Sequence, residues 1–300
     1  TSNAWAELLP NGDVMIGNAW EDHGQGSDMA TVAFAHEALR ALNLKPSQIK
    51  LSMNDTSLHP NAGPSGGSRQ NVVTGNAIVA ACRLLLGAMK KADGTFRTYD
   101  EMVKEKIETK YTGSWTTPCT HQDDNGIGKP FCIYMYALFC SEVAVDITTG
   151  KVEVVKMTYV GDNGTITNRG TVDGQVYGGL VQGIGLALTE DFEDLKKHTT
   201  LIGSGFPFIK DVPDNIELIY VETPRPDGAF GQAGVGEGPL TSPHVSIINA
   251  IHDACGARIR SLPAYPEKVL KALKSSKKAY DVADAMADGY MSTGGIDTLK

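Results

Sequence analysis

The chain is predicted to be an α+β fold of two related lobes, each of mixed sheet and helices, with glycine-rich loops meeting at a site between them. Two observations carry this. Strand and helix candidates are mixed in both halves, and period-two alternation, the mark of a half-buried strand, opens the first. Each half also delivers a glycine-rich loop to the start of a helix. The expected lobes are residues 1–125 and 126–274, with residues 275–300 as a surface helix and loose tail.

Residues 4–9 and 14–18 alternate around Asn11-Gly12-Asp13, a hairpin signal. Ser27 stands where it can cap a helix whose apolar stripe is Met29, Val32, Ala33 and Leu39. Residues 49–53 read as a strand, 54–68 as a polar glycine-rich loop and 71–89 as a helix rich in Ala, Val and Leu. A polar helix-and-turn stretch follows over 99–124. The second lobe opens with strands over 131–147 and 151–160, joined by Thr148-Thr149-Gly150. Another glycine-rich loop leads to a helix from about residue 175 to 189. A strand over 216–221, a loop through Glu237, a helix over 242–255 and an amphipathic helix over 266–274 complete it.

A chain of 300 residues with 41% hydrophobic content can bury a substantial core. Its net charge of -8 argues against a nucleic-acid partner, which would demand clustered Lys and Arg. The longest uninterrupted apolar run, 131–140, is half the ~20 residues a membrane-spanning helix needs, and no basic leader opens the chain, so no membrane association is expected. Strand-like alternation begins at Thr1 with no initiator methionine, so a fragment or one subunit of a split enzyme is expected. Cys82, Cys119, Cys132, Cys140 and Cys255 form no C-x-x-C pair, which disfavours iron–sulfur and structural zinc sites. Their odd number suits a reducing cytoplasm.

Among motifs with chemistry, Gly231-Gln232-Ala233-Gly234-Val235-Gly236-Glu237-Gly238-Pro239-Leu240 sets one carboxylate among glycines that let backbone come close to a ligand. Glu237 there reads as a positioned base. The plainer reading is a turn whose acid caps or solvates the next helix. Gly63-Pro64-Ser65-Gly66-Gly67 satisfies the G-x-S-x-G pattern of a hydrolase, but residues 58–62 before it are loop rather than the strand a nucleophile elbow requires. A serine hydrolase is therefore disfavoured. Ser65, Gly66, Gly67, Ser68, Arg69 and Gln70 instead offer successive N–H groups, two hydroxyls and a guanidinium ahead of a helix, which suits an anion unless the segment is only an ordered surface loop. His23-Gly24-Gln25-Gly26 similarly precedes a helix.

In the 175–185 segment, Tyr177, Gln182, Gly183 and Gly185 suit close helix packing. His121 with Asp123 and Asp124 reads as a solvated loop rather than a metal site. Lys129-Pro130 breaks any Walker A pattern, and Gly183-Ile184-Gly185 lacks its third glycine, Leu188 standing in its place.

Taken in order, His23-Gly24-Gln25-Gly26, Gly63 through Gln70, Asp173-Gly174-Gln175-Val176-Tyr177-Gly178-Gly179 and Gly234-Val235-Gly236-Glu237-Gly238-Pro239-Leu240 resemble the xanthine oxidase family of molybdenum hydroxylases. The resemblance is to the C-terminal half of the molybdenum-binding domain, in the branch of flavin-free bacterial aldehyde oxidoreductases that carry molybdopterin cytosine dinucleotide. It runs from the first residue to Lys274 and implies a set of roles. Ser65, Gly66, Gly67, Ser68, Arg69 and Gln70 would face the pyrophosphate and pterin side of the dinucleotide. His23, Gly24 and Gln25 would approach the molybdenum and its pterin, and Gln175 would contact the cofactor.

Glu237 would be the general base in converting an aldehyde to a carboxylic acid with oxygen from water. No protein ligand to the metal is implied, because the pterin dithiolene holds it. Iron–sulfur clusters are expected only on sequence outside this chain, carried by a missing N-terminal half or companion subunits of an oligomer. The resemblance implies that the loops choosing the substrate would come largely from sequence upstream of Thr1, so hydroxylation of an N-heterocycle such as xanthine remains the alternative activity. A non-catalytic half-domain that completes a partner is the alternative from another class.

Overall fold

The structure, a computed structural model, describes residues 1–53 and 55–274. The expected tail at 275–300 lies outside the described residues. Contacts divide the described residues into two compact units that interleave in sequence: 1–136, 161–175 and 220–238 form one, and 137–160, 176–219 and the residues from 239 to 274 the other. A single cut after residue 125 was the sequence expectation. What draws the later segments back is a set of long-range polar ties. Arg225 donates to the carbonyls of Tyr134 at 3.0 Å and Asp162 at 3.1 Å, and Asn76 donates to the Asp227 carbonyl at 2.9 Å.

The first unit is built on a four-stranded sheet of order β3-β2-β1-β4. Strands β1 (Ser2–Leu8) and β2 (Val14–Asn18) form the expected antiparallel hairpin. Helix α1 (Ser27–Ala38) carries the chain across to β3 (Ile49–Met53), which pairs with β2 in parallel. The buried face of α1 is Thr31, Phe34 and Ala35, while Met29, expected in the apolar stripe, is 54% exposed.

Helix α2 (Gln70–Met89) is long and apolar enough to cross a membrane by length and composition. It is a core helix here: Ala77, Ile78, Ala81, Cys82 and Leu85 are buried in the same cluster as Ala4, Ala6, Ile16 and Phe34. Burial pushes the Cys82 thiol up to about 12, which leaves it inert.

Helix α3 (Tyr99–Lys104) has the capping box of Thr98 and Glu101. Strand β4 (Lys110–Trp115) then pairs with β1 along the other edge, where the sequence reading expected helix and turn. Its residues, Lys-Tyr-Thr-Gly-Ser-Trp, are too polar and too interrupted by glycine to stand out. Gly113 explains the interruption: a Cβ there would come 2.5 Å from the Ala77 carbonyl and 2.8 Å from Ala80 of α2. A glycine inside a strand marks such close backbone approach.

The second unit is built on the sheet of β5 (Tyr136–Val145), β6 (Val152–Asp162) and β7 (Asn215–Val221), in the order β5-β6-β7. Strand β5 is shorter than the predicted 131–147, and the residues before it have another use. The Met135 thioether packs on Gly238, next to Glu237. Helix α4 (Arg169–Leu188) buries Leu180, Gly183, Ile184 and Ala187. A Cβ on Gly183 would come 2.7 Å from the Pro243 ring, so this glycine serves close packing of α5 (Pro243–Cys255), as its sequence context suggested. Helix α5 buries Ile247, Ile251 and Cys255 at four-residue steps, and α6 (Pro266–Leu273) buries Val269 and Leu273.

Gly113→Ala is expected to push β4 off α2. A cost of about 1–3 kcal/mol is the range for overpacking a tight interior, and a fall in the denaturant midpoint at unchanged slope would register it.

Candidate functional site

All of the sequence-predicted site residues belong to the first unit. A cavity of about 270 Å³ is lined by His23, Gln25, Ser65, Gly66, Ser68, Arg69, Gln70, Gln175 and Glu237. Gly24 and Gly67 shape the loops without lining it; both have positive φ, 103° and 65°.

The Glu237 loop reaches the cavity through backbone packed on backbone. Thr165 donates its N–H to the Gly231 carbonyl at 2.9 Å, and Ala233 donates to the Asn163 carbonyl at 3.1 Å. Asn71, in the first turn of α2, donates to Gln232 Oε1 and to the Ala233 carbonyl, both at 2.8 Å. Gly234 lies so close to Ser68 that a Cβ would come 2.8 Å from the serine Cβ. At the tip, Ser68 Oγ donates to Glu237 Oε2 at 3.1 Å and accepts the Glu237 N–H at 2.9 Å. Glu237 itself is exposed.

Around Ser65 to Gln70 the side chains hold their own loop. Arg69 Nη1 donates to the carbonyls of Ala62 at 3.0 Å and Pro64 at 3.1 Å. Gln70 Nε2 donates to the Gly63 carbonyl at 2.8 Å, while its Oε1 accepts from Thr74. Arg69 is thus a brace of the loop, with Nη1 engaged inside it. Ser65 donates to the Glu21 carboxylate.

In the His23 loop, Gln25 Oε1 accepts the His23 N–H at 2.5 Å and Gln25 Nε2 donates to the Glu21 carbonyl at 2.8 Å. The start of α1 is served by Asp22, which sequence reasoning passed over. Its carboxylate accepts from the N–H groups of Gly24 at 2.7 Å, Gly26 at 3.3 Å and Asp28 at 3.1 Å. Ser27, expected to be the cap, is the first helical residue, and Gly26 precedes it in the left-handed region at φ 92°. Burial pushes Asp22 up, but the hydrogen bonds from Asp28, Gly24 and Gly26 outweigh it and hold the carboxyl below its ordinary 3.8. An acid five residues before Ser27, with Gly24 and Gly26 between, was the available signal.

Gln175 was expected at a helix start. It lies in the second turn of α4, because Asn168 Oδ1 accepts from the Thr171 N–H at 3.2 Å and the helix begins at Arg169. Its side chain still faces the cavity. The segment 165–168, read only as loop, also lines it. No cluster of three or more His, Cys, Asp or Glu able to hold a metal occurs among the described residues. Asp123 is occupied by the N–H groups of Asn125 and Ile127, at 3.0 and 2.8 Å, as a solvated turn requires.

The family described as the molybdopterin cofactor-binding domain matches residues 1–213. The chain belongs to this family. The aldehyde oxidoreductase of Megalodesulfovibrio gigas is 57% identical to this molybdopterin cofactor-binding domain, covering 91% of the chain and 30% of the relative. The solved aldehyde oxidoreductase of Desulfovibrio desulfuricans superposes with a TM-score of 0.89 at 58% identity, over 90% of this chain and 30% of that one. The xanthine dehydrogenase/oxidase of Felis catus is 27% identical, covering 100% of this chain and 23% of that protein. The chain thus spans under a third of the length of these relatives.

Removing the Asp22 carboxylate should unsettle the first turn of α1. Asp22→Ala is expected to cost about 1 kcal/mol at neutral pH, the usual worth of a helix-start acceptor. Because the folded carboxyl titrates below 3.8, its contribution is complete above that value and is lost as pH falls through the lower folded value. Urea melts at pH 7 and near pH 3 should show the gap between variant and wild type closing in acid.

Proposed function

We propose that this chain is the molybdenum-cofactor-binding portion of an oxidoreductase that converts aldehydes to carboxylic acids with water, and that Glu237 is its general base. The observation that carries the reading is the placing of Glu237 and the Ser65–Gln70 loop on one cavity. The 57% identity to an aldehyde oxidoreductase over 91% of the chain favours aldehydes over an N-heterocycle.

The residues present fit a molybdenum cofactor of the dinucleotide type. The lining carries one guanidinium and one carboxylate, Arg69 and Glu237, among many hydroxyl and amide groups, suited to a polar, phosphate-bearing ligand. A Cβ on Gly66 would meet nothing within 4 Å, so the backbone there is open to a ligand. The metal needs no protein ligand, because the pterin supplies its own sulfurs. Ser65, Gly66, Gln70 and Gln175 would hold the group, with His23 and Gln25 also on the cavity wall and Gly24 and Gly67 shaping their loops.

When bound, the cofactor supplies the two-electron oxidation, passing electrons towards iron–sulfur clusters on sequence outside this chain. Glu237 takes up the proton that water loses as its oxygen becomes the nucleophile. Oε1 is the atom suited to it: Oε2 accepts from Ser68, and no described residue pairs with Oε1. Arg69 keeps the loop in shape through the Ala62 and Pro64 carbonyls. Companion subunits or further domains, and an oligomeric holoenzyme, belong to the same proposal.

In the full-length enzyme, Glu237→Gln should lower turnover per molybdenum by about two to four orders of magnitude, since the amide cannot take the proton. Molybdenum content should stay near wild type. Turnover within tenfold of wild type would return Glu237 to the role of a polar residue in a glycine turn. A panel of aldehydes against hypoxanthine distinguishes the two substrate classes.

Arg69→Ala should reduce molybdenum per protein more than turnover per molybdenum. Losing a charge-assisted brace costs on the order of 1.5 to 3 kcal/mol. Full metal content with collapsed turnover would contradict it.

A further inference from the structure

Ser68 makes two hydrogen bonds to one residue across 169 positions of sequence. Its hydroxyl donates to Glu237 Oε2 at 3.1 Å and accepts the Glu237 N–H at 2.9 Å. A serine hydroxyl has a single proton to give. With that proton on the carboxylate, none is left for a phosphate or pterin oxygen.

The backbone at Ser68 is set for this contact. Its φ of 53° lies in the left-handed region, which serine enters at a cost and keeps only when its surroundings impose it. Those surroundings are on both sides. Arg69 and Gln70 lock the loop through the carbonyls of Ala62, Gly63 and Pro64. Across from it, Gly234 and Gly236 leave room for the serine: a Cβ on Gly236 would lie 3.4 Å from Ser68 Oγ.

We propose that Ser68 is the positioning residue of Glu237, fixing the rotamer of the base from one carboxylate oxygen and its backbone from the N–H, rather than a ligand of the cofactor. This rests on the reading of Glu237 as the base. The hydroxyl holds Oε2, which leaves Oε1 in one place and ready for the proton. Without it, a carboxylate on an exposed, glycine-flanked loop samples several rotamers, few of them productive.

The test uses the full-length, molybdenum-loaded enzyme carrying Ser68→Gly or Ser68→Ala. Glycine removes the hydroxyl and relieves the positive φ together, so the fold is kept while the contact is lost. Molybdenum per protein and KM are expected to hold in Ser68→Gly, while kcat falls roughly 10- to 100-fold, the scale for misplacing a reacting group. A crystal structure of this variant is expected to show the Glu237 carboxylate displaced or in more than one rotamer. Ser68→Ala should match it in kcat with a lower melting temperature.

An unchanged kcat with Glu237 unmoved overturns the proposal. So does a loss of molybdenum with turnover per molybdenum intact, which would make Ser68 a cofactor ligand. Should Glu237→Gln retain turnover, the base reading fails by itself, and the position of the Glu237 carboxylate in the Ser68→Gly crystal structure still decides the role of Ser68.

Discussion

Glu237 stands at the cavity because residues 231–237 lie backbone to backbone against two other loops of the first unit. Thr165 and Ala233 bond to main-chain carbonyls across that contact, and Gly234 admits Ser68 where any side chain would collide. Asn71 fastens the same loop to the first turn of α2. None of these bonds is strong, since a neutral hydrogen bond contributes only about 1 kcal/mol net. Together with the buried Gln232 and Ala233 they fix the segment, and Glu237 inherits its position from them.

That arrangement requires a stiff floor, which α2 provides. Its buried face of Ala, Ile, Cys and Leu joins the cluster under the β3-β2-β1-β4 sheet, and Gly113 lets β4 lie directly on its backbone. The loop before α2 is then closed by Arg69 and Gln70. The helix thus serves the core with one stretch and the site with its first turn, so packing faults far from the cavity are transmitted to the loops that line it.

The helix starts near the cavity differ in what they offer. At α1 the free N–H groups of Gly24, Gly26 and Asp28 are taken by the protein's own Asp22. At α4, Asn168 does this for Thr171. Of the three helix starts, only that of α2 has no side-chain cap, and it opens on the cavity beside the hydroxyls, side-chain amides and open backbone at Gly66.

Much of this was legible in the sequence because it is local. Period-two alternation marked β1 and β2, three- and four-residue spacing marked α1, and residue types singled out the glycine-bounded Glu237, the Ser65–Gln70 loop and the His23 loop, which line one cavity. The resemblance carried by those motifs agrees with the family to which the chain belongs. What the sequence could not carry is non-local. Strand β4 is recognisable only as the partner of β1, its own residues being polar and broken by glycine. The return of residues 161–175 and 220–238 to the first unit depends on Arg225, Asn71 and Asn76 reaching carbonyls 63 to 162 positions away. The bond between Ser68 and Glu237 spans 169 positions. Composition and spacing determine which groups are available and what element each segment forms. Which hydroxyl holds which carboxylate is decided only when the chain closes on itself, because a hydrogen bond depends on distances of a few ångströms that no local pattern encodes.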